Sequence, residues 1–412
     1  MRLRGSGDAD SRRAGMSRRG RKGAPSLLRA LLAAGSLSLV SASPPFLVGA
    51  LAVQLRADLD FSPTQLGIAA ASFRGVVSLS SAALGRVADL TGPSRAMRAS
   101  VALTAVAALT IGLFVNSWEA LVGCLVLAGV GSALGGPAMS TFIARAVRLG
   151  RRGIAFGIQQ AGPPGAALVG GFAVPLVALT LGWRWAFGAT GILTLLVLLL
   201  IPGVATAPRR TDGEPLAALP LREPVILAAA MAFGFGSATT MSTFLVESAV
   251  DAGIGKGEAG LVLALGGASS IGARLITGRL ADRWAHSHLL VAAWMLAAGF
   301  AGYLLLATGS PAAMVIGTII AFSFGWGFSA IVFFAVGRMY PENPGAAAGM
   351  LLTGGSLGGI VTPVVFGYIL ETTSYGLAWT VLSVWAVLAA ALLATARLAH
   401  NRTLPAGDPR TV

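Results

Sequence analysis

Twelve stretches of this chain are apolar over about 20 residues or more, the length a helix needs to cross the hydrocarbon of a bilayer. They run over 29–54, 64–84, 97–115, 119–141, 152–179, 185–204, 224–248, 258–278, 288–308, 311–336, 345–370 and 376–396. Lipid offers no hydrogen bonds, so a spanning segment must satisfy its own backbone, and continuous helices do so. Of the 412 residues 55% are hydrophobic and 11% charged, against about 25% charged in soluble domains. Such a chain has no polar shell around a core. The expected fold is an all-α integral membrane protein of 12 transmembrane helices.

The breaks between segments carry turn and cap chemistry. Ser62-Pro63-Thr64-Gln65 supplies Ser at the N-cap, Pro at N1 and Gln at N3 of the second helix. Gly92-Pro93, Ser310-Pro311 and Asn343-Pro344 mark further breaks. Pro44-Pro45 predicts a kink in the first helix. The basic start and Ser41-Ala42-Ser43 imitate a signal peptide, but the apolar run continues to Val53, too long for one. Residues 1–28 read as a disordered basic tail, with Met16 as an alternative start.

Charge orients the array. Of 30 Lys and Arg, 25 fall in the tails and alternate loops on one side, three (Arg56, Arg184, Lys256) on the other, and Arg74 and Arg274 inside helices. The positive-inside rule then places both termini in the cytoplasm, with a bacterial cytoplasmic membrane as the expected location. The net charge of +14 belongs to this bias and not to nucleic-acid binding, since no basic stripe is interleaved with aromatics. The single cysteine, Cys124, excludes a disulfide framework and a Cys-rich metal site. No metal or cofactor is expected.

The chain repeats itself. Gly85-Arg86-Val87-Ala88-Asp89 returns as Gly278-Arg279-Leu280-Ala281-Asp282, where an apolar stretch meets a basic loop. Gly153, Gly157, Gly162 and Trp183 match Gly345, Gly349, Gly354 and Tyr375 at a constant offset of 192 residues. A shared spacing over several landmarks implies duplication. The expected organisation is two pseudo-symmetric six-helix bundles, 29–204 and 224–399, joined by a polar linker at 205–223 and followed by a tail at 400–412.

These motifs resemble those of the major facilitator superfamily, over about 27–399. The family's loop between helices 2 and 3 is matched by Gly85–Arg95, its weaker copy between helices 8 and 9 by Gly278–Arg283, and its helix 5 by Arg152–Gly157 and Gly162-Pro163-Pro164-Gly165. The resemblance implies alternating access between two halves, with Gly85, Arg86, Asp89, Gly278, Arg279 and Asp282 as gating residues. Two departures stand against a proton-coupled drug exporter. Leu125 replaces the arginine often found four residues before Gly129, and Ala166-Ala167 follow Gly165 where many exporters have glycine.

Ionisable residues inside spans are costly and mark functional positions. Arg74 lies eleven residues past Pro63, about 16 Å down the helix at about 1.5 Å per residue and so near the midplane. It shares a helix face with Ser78, Ser81 and Gly85, as Arg274 does with Gly267, Ser270 and Gly278. A guanidinium offers paired donors suited to a carboxylate. Arg274 with Gly278 also resembles the helix 8 arginine of monocarboxylate transporters and oxalate/formate exchangers, which meets the substrate carboxylate. Gln159, Gln160 and Trp326, with its indole N–H, are further substrate-binding expectations. So is a polar first helix of Ser36, Ser38, Ser41 and Ser43. Glu247 toward the outer end of helix 7 is the one carboxylate within a span; it reads first as a solvated residue of the outer mouth, with proton coupling as the functional alternative. The three histidines fall in terminal-side segments and read as solvated.

The expected function is a secondary active transporter, a monomer, moving a small carboxylate-type organic anion. An exporter of neutral or amphipathic compounds is the alternative within the class, and a sensor on the same fold the alternative outside it. The helices hold no His cluster, carboxylate pair or nucleophile–base set from which to build an enzyme.

Overall fold

The computed structural model describes residues 26–148, 151–203, 222–281, 287–340 and 344–403. The helices that cross are α1 (Leu27–Ala50), α2 (Pro63–Thr91), α3 (Pro93–Phe114), α4 (Trp118–Ala146), α5 (Arg152–Leu181), α6 (Trp183–Val197), α7 (Arg222–Asp251), α8 (Lys256–Ala281), α9 (His288–Ala307), α10 (Pro311–Met339), α11 (Pro344–Thr372) and α12 (Tyr375–Thr403). Eleven are long and apolar enough to span a bilayer; α6 is apolar but 15 residues long, with turns following it. An even number of crossings brings both ends of the array to one face, called here the terminal face, opposite the far face.

Local chemistry sets the ends as the sequence predicts, with two corrections. The Ser62 side chain accepts from the Gln65 N–H while the Gln65 side chain accepts from the Ser62 N–H, closing a capping box on α2. The first repeat motif, however, is not a loop. Helix α2 continues through Asp89 to Thr91, and the turn is one residue, Gly92, at φ +91°. Only glycine holds that backbone without strain, and Pro93 then starts α3 as its N1 residue. Pro44-Pro45, where a kink is expected, lie inside α1. The helix runs through both prolines and breaks at Leu51, before a short helix Ala52–Leu59. Finally, His288 and His400 are buried, at 6% and 8% exposure, while His286 and Asp282 lie outside the described residues.

Three apolar cores show how the helices are shared. One draws on the terminal-face ends of α1 to α6, from Ala30 and Ala34 to Phe142 and Val197. A second draws on the terminal-face ends of α7 and of α9 to α12, among them Met231, Leu296, Val332 and Leu393. The third lies toward the far face and takes residues from both sets: Phe46, Leu66 and Phe187 with Met241, Trp326 and Trp379. The halves therefore join at the far face and stand apart at the terminal face.

Glycine makes the join possible. A Cβ on Gly67 of α2 would collide with the Pro363 carbonyl of α11, and one on Gly171 of α5 with the Gly260 carbonyl and Ala264 backbone of α8. Helices touching backbone to backbone in this way gain the dispersion contacts that hold bundles together in lipid. Toward the terminal face the same four helices separate. Gly157 of α5 and Gly278 of α8 have nothing within 4 Å of a Cβ position, and Leu79 of α2 is 86% exposed.

Candidate functional site

Between the joined and separated ends lies a cavity of about 140 Å³, lined chiefly by α1, α2, α4 and α5. Arg74, Gln159 and Gln160 meet there, with Ser38, Ser41 and Ser132 as hydroxyl neighbours and Phe46, Phe73 and Met139 as apolar wall. The sequence expectation for these three residues is thus one place in space. Ser38 Oγ donates to the Gln159 carbonyl at 2.5 Å, tying α1 to α5. The Ser41 hydroxyl and Gln159 Oε1 are buried with no hydrogen-bond partner among the described residues, a state that native structures rarely leave uncompensated. The other two serines are occupied within their own helix: Ser36 donates to the Leu32 carbonyl at 2.6 Å and Ser43 to the Leu39 carbonyl at 2.8 Å.

Arg74 occupies the midpoint of α2 and reaches the boundary between the halves. Its guanidinium carbon lies 5.3 Å from the ring centroid of Phe235 on α7. It also lines a crevice of about 20 Å³ shared with Thr239, Ser242 and Gly359 of the second half. Among the described residues neither a carboxylate nor a carbonyl accepts a hydrogen bond from it. Its five N–H donors are thus left without a protein acceptor among the described residues.

Arg274 and Trp326 sit together but outside that cavity lining. Arg274 Nη2 donates to the Trp326 carbonyl at 3.4 Å, and its guanidinium carbon is 5.9 Å from the Trp326 ring centroid. Arg274 Nε is buried without a partner among the described residues. Trp326 closes a π-helical turn of α10, Ala321–Trp326, the kind of irregularity that recurs at functional sites. Its indole stacks on Phe46 with centroids 5.6 Å apart and planes 13° from parallel. Phe46 faces the Arg74 cavity, so one aromatic pair joins the surroundings of the two arginines across the halves.

Glu247 is far from solvated. At 13% side-chain exposure it forms an ion pair with Arg56, from the short helix after α1, and Tyr375 of α12 lines the same cavity. That cavity, of about 510 Å³, lies over this group at the far face, with Asp251 at its wall. Nearby, Glu371 of α11 accepts from the Thr64 N–H at the start of α2 at 3.0 Å. Both contacts cross from one half to the other. Within the first half, Trp183 Nε1 donates to Asp58 at 2.7 Å.

The expected gating residues stand at the separated face. Gly85 meets only Pro137 of its own half, 3.5 Å from a Cβ position. Arg86 and Asp89 are exposed and make no hydrogen bond or ion pair among the described residues. Arg279 donates to its own helix, to the Leu275 carbonyl at 3.4 Å. A buried cluster escapes sequence reasoning altogether: Glu223 of α7 accepts from the Tyr340 hydroxyl at 2.7 Å and contacts His400 Nδ1 at 3.1 Å. Three distant polar residues gave no spacing from which to find it.

Residues 27–338 match the family model of the Major Facilitator Superfamily. The chain belongs to the Major Facilitator Superfamily. Members of this superfamily are transporters, and their fold accounts for the twelve helices and the far-face join. The chain is 30% identical to human "Monocarboxylate transporter 11" over 274 residues, 61% of this chain and 57% of that protein. It thus spans little more than half of that relative's length. It is 28% identical to an "MFS-type efflux pump" of Mycolicibacterium smegmatis over 379 residues, 84% of this chain and 85% of that one. Among solved structures, a D-xylose-proton symporter superposes with a TM-score of 0.73 at 16% identity, covering 90% of this chain and 97% of the other. A bacterial homologue of the lysosomal transporter Spinster, inward-facing and occupied, gives 0.67 at 17% identity, covering 89% and 96%. At those identities the solved structures speak for the fold alone.

Proposed function

We propose that this superfamily transporter carries a small organic anion of carboxylate type, bound at Arg74 between two halves that alternate in access. One observation carries the reading: a guanidinium at the midpoint of a spanning helix faces a polar cavity with no anion of its own. A carboxylate would accept from its in-plane donors, and the partnerless atoms of Ser41 and Gln159 would orient the rest. The cavity volume of about 140 Å³, well below the roughly 300 Å³ at which drug-sized sites begin, favours a small cargo. Similarity to a protein named as a monocarboxylate transporter supports the same class. Arg274 and Trp326 act on the cargo through the Phe46–Trp326 stack, or directly once the cavity deepens.

The halves are residues 29–204 and 224–399, with 205–223 between them. The terminal face is cytoplasmic by charge, in a bacterial inner membrane, and the protein works as a monomer. Gly85, Arg86, Asp89, Gly278, Arg279 and Asp282 close that face when the far face opens. Glu247 couples a proton by losing its hold on Arg56 when its carboxylate is protonated. The second reading is export of neutral or amphipathic compounds. It is favoured by the longer match to an efflux pump, and in it both arginines are structural.

Thermal denaturation of the purified protein separates the two. Acetate, lactate, pyruvate or benzoate should raise the melting temperature of the wild type and not of Arg74→Gln. Stabilisation by cationic dyes alone, equal in the variant, would establish the efflux reading instead.

A further inference from the structure

Arg74 is placed by groups from both halves. Phe235 approaches it from α7, and α11 provides a seat for the pair. A Cβ on Gly355 would come 3.5 Å from Phe235 Cδ1, and a Cβ on Gly359, one turn along, 3.7 Å from Arg74 Cγ and Cδ. Two glycines on one helix face thus leave adjoining recesses, one for the ring and one for the arginine stem. The position of the charge over the ring, 5.3 Å from the centroid, is that of a cation–π contact. Such a contact attracts the guanidinium without consuming any of its five N–H donors. A carboxylate partner would have fixed the arginine equally well but would have occupied the donors and cancelled the charge.

We propose that Phe235 is a positioning residue of the anion site, holding Arg74 across the boundary with its donors free for cargo. The inference rests on the reading of Arg74 as the partner of the transported anion, and adds the second half's share of a site otherwise lined by the first. Cargo that draws on Arg74 then acts on α7 through the Phe235 ring, so occupancy is felt by both moving halves.

The test is a binding titration of the purified full chain with whichever of acetate, lactate, pyruvate and benzoate stabilises the wild type most. Four proteins are compared: wild type, Arg74→Gln, Phe235→Leu and Phe235→Tyr. The expected result is loss of binding in Arg74→Gln and about tenfold weaker binding in Phe235→Leu. Phe235→Tyr, which keeps the ring face, should stay within about twofold of wild type, and unliganded melting temperatures should be the same for both Phe235 variants. Phe235→Met, unbranched and ringless, repeats the measurement if Phe235→Leu folds poorly. Wild-type affinity in the ringless variants, or equal weakening in Phe235→Tyr, overturns the role of Phe235 while leaving that of Arg74 intact. Undiminished binding in Arg74→Gln, or no binding of any of the four acids to the wild type, overturns the underlying reading and this inference with it.

Discussion

At the scale of single residues, neighbouring glycines on α11 do opposite work. A Cβ on Gly358 would collide with the Ala232 carbonyl of α7, whereas one on Gly359 meets the Arg74 stem at ordinary contact distance, 3.7 Å. Gly358→Ala should therefore destabilise the fold by about 2 kcal/mol, as overpacking against backbone does, and lower the melting temperature. Gly359→Ala should leave the melting temperature near wild type. Equal melting temperatures for the two would contradict the packing described. Arg74 was legible in the sequence because a charge in an apolar run has few explanations, and Gln159 and Gln160 because amides there are also rare. Phe235 was not, since one phenylalanine among many in apolar helices carries no mark of what lies over its ring.

At the scale of elements, hydropathy and cap residues located every crossing, but backbone conformation decided where each one stopped. Ser62 and Gln65 closed the capping box their order predicts. The repeat motif looked like a loop because its charged residues interrupt the apolar run. It is helical because Arg86, Ala88 and Leu90 favour a helix and nothing breaks it until Gly92, at positive φ, allows the turn. The α1 proline pair lies inside its helix, which runs on to Ala50. The fused far-face core required pairs of distant helices, α2 with α11 and α5 with α8, which no local pattern encodes. Between those pairs the joined glycines are tight enough to test. Gly171→Val should prevent closure of the far face, because its branched side chain would stand in the α8 backbone. Cross-linking between cysteines placed at the far ends of α5 and α8 should then fall well below that of the parent protein; unchanged cross-linking would contradict the join.

At the scale of the whole molecule, the structure is closed at the far face and open at the terminal face, and two polar contacts between halves guard the closed side. The Arg56–Glu247 pair and the Glu371 cap on the start of α2 are both lost if the halves part there. Breaking the first should favour the opposite state. With Cys124→Ser as background, Ser242→Cys places a thiol at a position 6% exposed in the closed far face. Its labelling by an impermeant maleimide added to the far side should rise several-fold in Glu247→Gln and Arg56→Gln, about as expected for losing a partly buried pair worth about 1–2 kcal/mol. Equal labelling in all three proteins would remove the pair from the gate. Opening of that face would expose the Arg74 cavity to the other side of the membrane, which links the ion pair to the proposed anion site.

The central claim, that Arg74 binds a transported organic anion, is tested most directly by counterflow in proteoliposomes. Vesicles loaded with unlabelled lactate, pyruvate or benzoate and diluted into the labelled acid should accumulate label transiently when they hold the wild type, and not when they hold Arg74→Gln. Accumulation in the variant equal to wild type, or none of these acids exchanged by either protein, would contradict the account.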